Sequence, residues 1–253
     1  MKLSLSNGIF SRFPLKENLA RVKKLGFDNL EFNMKSVKRE KDTSVYDAEK
    51  LVKEYGLNCL TLHAATLNVR DEVEVHRAIY YLKISAEFAH RLGAPIMVVH
   101  SNVSRKLPRE QREKIVRQIF KDVKPYAESL GLRIALENLS YASSGFAKNV
   151  AEIEETLEDI DNNKTVGITL DFCHATASGT TFNLMEKYNK RLFNIHISNR
   201  AHKPFNEETP YLKAFIAKLQ EYEYRGPITM ELNRKCTTQD ILKTKCIIEK
   251  TIA

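Results

Sequence analysis

The chain has 253 residues, 43% of them hydrophobic, and a formal net charge of +8, which is enough to build a sizeable core in one large α/β domain or two small ones. Its longest apolar runs, such as PIMVVH, are far too short to cross a bilayer, and the opening MKLSLSNGIF lacks the long apolar core of a signal peptide, so a cytoplasmic protein with no membrane partner is expected. Four cysteines (Cys59, Cys173, Cys236 and Cys246) without a CxxC pair indicate neither a disulfide framework nor a structural zinc knuckle, and mixed-charge faces such as REQREKIVRQIFKDVK account for much of the positive balance.

Strand-like runs recur from end to end, at 2–7 (KLSLSN), 29–33 (NLEFN), 59–64 (CLTLHA), 96–101 (IMVVHS), 133–138 (RIALEN), 166–172 (VGITLDF), 193–198 (FNIHIS) and 228–233 (ITMELN). Amphipathic stretches lie between them, clearest in DEVEVHRAIYYLKISAEFAHRLG and REQREKIVRQIFKDVKPYAESLG, and Gly26, Gly56, Gly93 and Gly131 stand where helices should stop. No linker or low-complexity stretch divides the chain. Eight strand–helix units in this length predict an α/β fold, a (β/α)8 TIM barrel forming a single domain over 1–253. A doubly wound open sheet competes, but it would more often carry a Gly-rich phosphate loop after its first strand, and none follows KLSLSN.

A TIM barrel presents its chemistry at the C-terminal ends of its strands and keeps the strand interiors apolar. Those ends carry His63, His100, Glu137, Asp171 with His174 close behind, His196 and Glu231. Five of the seven histidines, counting His202, lie at or just beyond strand ends; His76 and His90 read as surface or packing residues of a long helix. A single strand-end histidine is more often a packing residue than a ligand. Converging carboxylates, however, repel unless protons or a cation neutralise them. The mixed His and carboxylate set suits zinc or manganese foremost, with cobalt, iron or magnesium as further divalent options.

In order along the chain, LHAATLNV, MVVHSN, IALEN, GITLDFCHATASG, NIHIS and ITMEL resemble the strand-end motifs of the xylose isomerase-like TIM barrels, a superfamily that includes sugar isomerases and epimerases and endonuclease IV. The resemblance implies a metal site of Glu137, Asp171, His196 and Glu231, with His63, His100 and His174 as further ligands of the multi-zinc nuclease branch. On the sugar branch, Glu137 and Glu231 would remove and return a proton beside a carbonyl, and His174 would serve as a second-site ligand or an acid/base residue. Cys173 is expected to be packing.

The two branches imply different partners: a small sugar or sugar phosphate, or abasic-site DNA. His63, His100 and LDFCHA favour the nuclease. The first unit, SNGIFSRFPLKENLARVKKLGFDNLEFN, looks like the isomerase pattern. After His196 the segment HISNRAHKPFNEE is short, with Asn199 where an acidic residue is usual, so a complete three-zinc site is not expected. The expected rim carries Lys35, Lys38, Arg39, Lys41, Arg70, Arg105, Lys106, Arg200 and Lys203, offset in part by Asp42, Asp71, Glu207 and Glu208. Such a rim suits an anionic substrate, with Lys35, Arg200 and His63 as candidates to hold it, and solvated loop charges are an equal reading. Aromatics interleaved with these cations, as a stacking groove for single strands needs, are sparse. The expectation is therefore a metal-dependent sugar isomerase or epimerase, with the nuclease second and a metal-binding protein without turnover third.

Overall fold

Short strands alternate with amphipathic helices in the computed structural model, and the sheet they form closes on itself. The structure describes all residues except 38–42, 66–68, 102, 105, 144, 146 and 161–164 and the side chain of residue 159, so Lys38, Arg39, Lys41, Asp42 and Arg105 of the expected rim lie outside the described residues. The elements run β1 (Lys2–Ser6), α1 (Leu15–Lys24), β2 (Asn29–Asn33), α2 (Val45–Glu54), β3 (Asn58–His63), α3 (Val73–Arg91), β4 (Ile96–Val99), α4 (Arg109–Ser129), β5 (Arg133–Glu137), α5 (Val150–Ile160), β6 (Gly167–Asp171), α6 (Phe172–Ser178), α7 (Thr181–Tyr188), β7 (Leu192–Ile197), α8 (Pro210–Glu221), β8 (Pro227–Met230) and α9 (Thr238–Ile252). All neighbouring strands are parallel and follow chain order, and β8 returns to β1 with Leu5 opposite Met230. This is the expected (β/α)8 barrel.

Local chemistry sets the helix boundaries. Ser44 with Asp47 and Thr237 with Asp240 form capping boxes at the starts of α2 and α9, and Thr209 caps α8 ahead of Pro210. The expected stops at Gly93 and Gly131 fall in the left-handed region, at φ 72° and 74°, where a side chain would be strained. His76 and His90 are exposed on α3 as expected, and His90 Nδ1 lies 3.0 Å from the Leu130 carbonyl. Two strands end two or more residues earlier than the sequence suggests. β4 stops at Val99 and β8 at Met230, which leaves His100 and Glu231 on the first residues of the rim loops.

Strand residues alternate between two environments with the period of two that a pleated strand imposes. Leu5, Leu30, Phe32, Leu62, Leu136, Ile168, Leu170, Ile195 and Met230 are fully buried in the continuous core that includes the helices. The other face lines the barrel's interior, and here the expectation of apolar strand interiors is corrected. Ser4, Glu31, Thr61, Thr169, Asn194 and Thr229 are all completely buried. Ser4 Oγ and Thr229 Oγ1 are 2.8 Å apart, Thr229 Oγ1 donates to Asn194 Oδ1 at 3.2 Å, and Thr61 Oγ1 donates to Glu31 Oε2 at 2.9 Å. Hydrogen bonding between neighbouring strands offsets the cost of burying most of this polar layer, while Thr169 Oγ1 and Asn194 Nδ2 are buried without a partner.

Phe172, the first residue of α6, lies against Phe215 of α8 with ring centroids 4.7 Å apart, and Tyr211 and Phe205 complete the cluster at 5.7 and 6.2 Å. This cluster braces α6 from behind. All four cysteines are free, with Cys59 and Cys173 buried, and burial pushes the Cys59 thiol up to about 12, as expected of packing residues. Among the described residues no helix is long and apolar enough to cross a membrane. Phe215→Ala empties a fully buried site and is expected to cost about 3–5 kcal/mol, read as a lower urea midpoint with an unchanged m-value.

Candidate metal centre

The C-terminal rim brings the strand-end residues into one cluster. Their ligand atoms form three sets, each with members within 4.8 Å of one another: His63, His100 and Glu137; Glu137, Asp171, His196 and Glu231; and Asp171, His174 and His202. Glu137 joins the first set to the second, and Asp171 joins the second to the third. All seven expected ligands are therefore brought together, and His202 completes the third set without the acidic residue whose absence spoke against it. Asn199, at that position, instead accepts from the backbone N–H of Arg200 and shapes the turn.

The histidines are aimed by the partner of their other nitrogen. A backbone carbonyl can only accept, so the ring nitrogen facing one carries the proton and the opposite nitrogen carries a lone pair. His63 Nδ1 faces the Ala64 carbonyl at 3.1 Å, His174 Nδ1 that of Asn138 at 3.0 Å, and His202 Nδ1 that of Glu231 at 3.2 Å. Their Nε2 lone pairs then point into the cluster. His174 Nε2 and His202 Nε2 are 3.1 Å apart, and His63 Nε2 is 3.5 Å from Glu137 Oε2. His196 is tied the opposite way: Nε2 donates to Glu31 Oε2 at 2.8 Å, which turns Nδ1 toward Glu137 Oε2 at 3.4 Å and Glu231 Oε2 at 3.2 Å.

Lone pairs facing lone pairs and carboxylates at these distances repel unless protons or cations lie between them. Two unit charges of like sign at about 4 Å cost roughly 4 kcal/mol at an effective dielectric of about 20. The buried atoms without a hydrogen-bond partner include Asp171 Oδ2 and His196 Nδ1, both in the central set. Two nitrogens on one tetrahedral zinc with bonds of about 2.0–2.1 Å lie about 3.3 Å apart, close to the His174–His202 spacing. The donor set thus fits divalent metal. Without metal, protons fill the role. Burial pulls His196 down, but Glu31, Glu137 and Glu231 outweigh it and raise it well above the usual imidazole value. Burial raises Asp171, and it also opposes ionisation of Glu137, which His100 and His196 nevertheless hold well below the carboxylate range.

Local structure holds the set in place. Asp171 ends β6 and caps α6, with Oδ1 accepting from His174 N at 2.7 Å, which leaves Oδ2 to the cluster. Asn138 clasps the backbone of Asp171, with Oδ1 accepting from its N–H at 2.6 Å and Nδ2 donating to its carbonyl at 3.2 Å. Ala201 and His202 both have left-handed backbones, at φ 60° and 52°, a strained state for side-chain-bearing residues. Asn233 secures this turn: its N–H donates to His202 O at 2.8 Å and its Nδ2 to Ala201 O at 3.3 Å.

A cavity of about 230 Å³ adjoins the cluster and is lined by Glu231, His202, Ser6, Gly8, Lys35 and Arg234 among others. Of the residues expected to hold substrate, Lys35 lines it, while Arg200 and His63 do not. His63 is buried against Glu137, and Arg200 is exposed on the turn after β7. The sequence reading missed Glu31, Asn138 and Arg234. Glu31 had one visible signal, an acid inside an otherwise apolar strand, but strand-end reading passes over mid-strand positions.

Glu31 is completely buried and fixes the tautomer of His196 from across the barrel, the carboxylate–histidine arrangement that orients metal ligands. Glu31→Leu should weaken zinc or cobalt binding by about 10–100-fold, measured by chelator competition. Glu31→Gln, which can still accept from Nε2–H, should retain most of the affinity; equal losses in the two variants would contradict this role.

The chain's likeness to known proteins covers both kinds of chemistry. It is 25% identical over 250 residues to an inosose isomerase of Bacillus velezensis, covering 91% of this chain and 89% of that one. A probable endonuclease 4 of Halothermothrix orenii is 25% identical over 172 residues, covering 63% and 60% of the two chains. The crystal structure of an IOLI protein with a binding zinc atom superposes with a TM-score of 0.80 at 23% identity, covering 100% of this chain and 98% of the other. The model of the xylose isomerase-like TIM barrel family matches residues 19–250, and the chain belongs to that family.

Proposed function

We propose that the protein is a divalent-metal-dependent sugar isomerase, or an epimerase of the same chemistry, that moves a proton at a carbon next to a carbonyl. One observation carries this reading: Glu231 is at once a member of the central ligand set and a wall of a cavity sized for a small molecule. The likeness to an inosose isomerase over nine-tenths of the chain supports it. Glu137, Asp171, His196 and Glu231 would hold the metal, whose charge makes the C–H bond beside a carbonyl acidic.

The two glutamates are not equivalent. Glu137 is 1% exposed and faces His63, His100 and His196 with Oε2, whereas Glu231 is 19% exposed and faces the cavity. Burial opposes ionisation of Glu231, but His196 outweighs it and keeps the group an ionised carboxylate. A single carboxylate on one face can take a proton from one carbon and return it to the adjacent carbon on the same face, as aldose–ketose isomerisation requires. Epimerisation calls for an acceptor on each face, so this asymmetry favours isomerisation. His202, the other cluster member that lines the cavity, is placed to hold a substrate hydroxyl.

In D₂O with added Mn²⁺ or Zn²⁺, the protein should exchange the proton beside the carbonyl of a ketose substrate, followed by NMR. Glu231→Gln should slow that exchange by about 10²–10⁴-fold. Turnover retained in Glu231→Gln would overturn the assignment.

The outer sets favour a second reading, metal-dependent hydrolysis of a phosphodiester, because His63, His100, His174 and His202 offer more ligands than one ion needs. The likeness to a probable endonuclease 4 points the same way. Elemental analysis of protein never exposed to chelators separates the two. About one exchangeable ion per chain supports the isomerase, and two or three zinc ions support the hydrolase and direct assays to abasic-site DNA.

A further inference from the structure

The cavity beside Glu231 has lining residues that the proton transfer does not use. Glu231 and His202 form one wall. Lys35, on the turn after β2, and Arg234, on the loop after β8, line the same space, together with Ser6 at the end of β1. Ser6 is 1% exposed, and its Oγ is buried without a hydrogen-bond partner. Lys35 and Arg234 are both exposed, and among the described residues neither forms an ion pair. Two like charges facing one small space, above a hydroxyl with nothing to bond, leave a position whose missing partner is an anion with several acceptor oxygens.

The bases of both cations are fixed. Asn7 Oδ1 accepts from Asn33 N at 2.7 Å, and Asn33 Oδ1 accepts from Lys35 N at 3.0 Å, which fastens the Lys35 turn to the end of β1. Gly8 permits this packing: a Cβ there would stand 2.9 Å from Asn33 Nδ2. On the other side Asn233 Oδ1 accepts from Lys235 N at 2.9 Å while its own N–H holds His202 O, so the backbone around Arg234 is tied to the His202 turn. The cavity therefore brings a carboxylate, an imidazole and two cations to one space, beside the apolar Ile9 and Leu232.

From this we infer that the substrate is a short polyhydroxy carbonyl compound with a terminal oxyanion, a phosphate monoester or a carboxylate, seated between Lys35 and Arg234 with a hydroxyl or anion oxygen on Ser6. The assignment rests on the isomerase reading and names its substrate class. The carbonyl end meets Glu231, and the anionic end fixes which carbon lies beside it.

The test uses the metal-loaded protein and D₂O exchange on three substrates of one carbon skeleton: a neutral ketose, its terminal carboxylate and its terminal phosphate. The anionic forms should show kcat/KM at least tenfold above the neutral one, and the preferred arm names the anion. Lys35→Met and Arg234→Met should each raise KM for that form by roughly tenfold with kcat little changed, with Lys35→Arg restoring most of the loss. Inorganic phosphate should inhibit the native protein and do so at least tenfold less well in the double variant. Equal efficiency on the neutral ketose, or unchanged phosphate inhibition in the double variant, overturns the anion site and leaves the isomerase reading standing. Absence of exchange on all three removes the isomerase reading itself, and with it the anion site.

Discussion

The centre of this protein is a set of lone pairs forced to face one another. Backbone carbonyls of Ala64, Asn138 and Glu231 hold the protonated nitrogens of His63, His174 and His202, and Glu31 does the same for His196. What remains on each ring is an acceptor, turned toward Glu137, Asp171, Glu231 or another imidazole. In water such an arrangement would relax by rotating a ring or taking up solvent. In the packed mouth of the barrel neither is available to His63 or His196, which are 1% and 0% exposed. Positive charge is the remaining remedy. A divalent metal would supply it, and the elevated proton affinity of His63, His174 and His196 is the same demand met by protons instead.

Much of the neighbouring structure follows from keeping that arrangement rigid. The polar layer below it, with Glu31, Thr61, Asn194 and Thr229, occupies barrel positions that could have been filled by valine or leucine. An apolar layer would pack as well but could not hold His196 in one tautomer. Asn138 and the aromatic cluster of Phe172, Phe205, Tyr211 and Phe215 fix α6 from two sides, so the N-cap geometry that frees Asp171 Oδ2 persists. The strain at Ala201 and His202 belongs to the same economy: a left-handed pair of residues with side chains is held because Asn233 ties the turn to the β8 loop.

The centre is also asymmetric. Its β3 and β4 side is crowded with histidines around a shielded Glu137, while its β1, β2 and β8 side opens into the cavity through Glu231 and His202. Surplus ligands on the first side speak for more than one ion, and the small, half-open cavity on the second speaks for a small substrate. Both features lie in one barrel whose relatives include an inosose isomerase and a probable endonuclease 4, and the balance here rests on which side meets the substrate.

The fold was legible in the sequence because a strand–helix alternation with helix stops at Gly93 and Gly131 is written locally, in periodicity and backbone preference. The strand-end ligands were legible for a related reason: once the barrel is assumed, chain position alone says which rim a residue reaches. The residues left unseen act across the barrel rather than along the chain. Glu31 touches His196 from a strand that is not its neighbour, and Arg234 shares a cavity with Lys35 although they lie far apart in the chain. The sequence by itself therefore determined the barrel and which side chains reach its mouth, since both follow from the order of residues along each strand. Only the tertiary structure decided which nitrogen each histidine presents, which glutamate meets the cavity and which cations line it, because those depend on contacts between residues that the sequence does not place side by side.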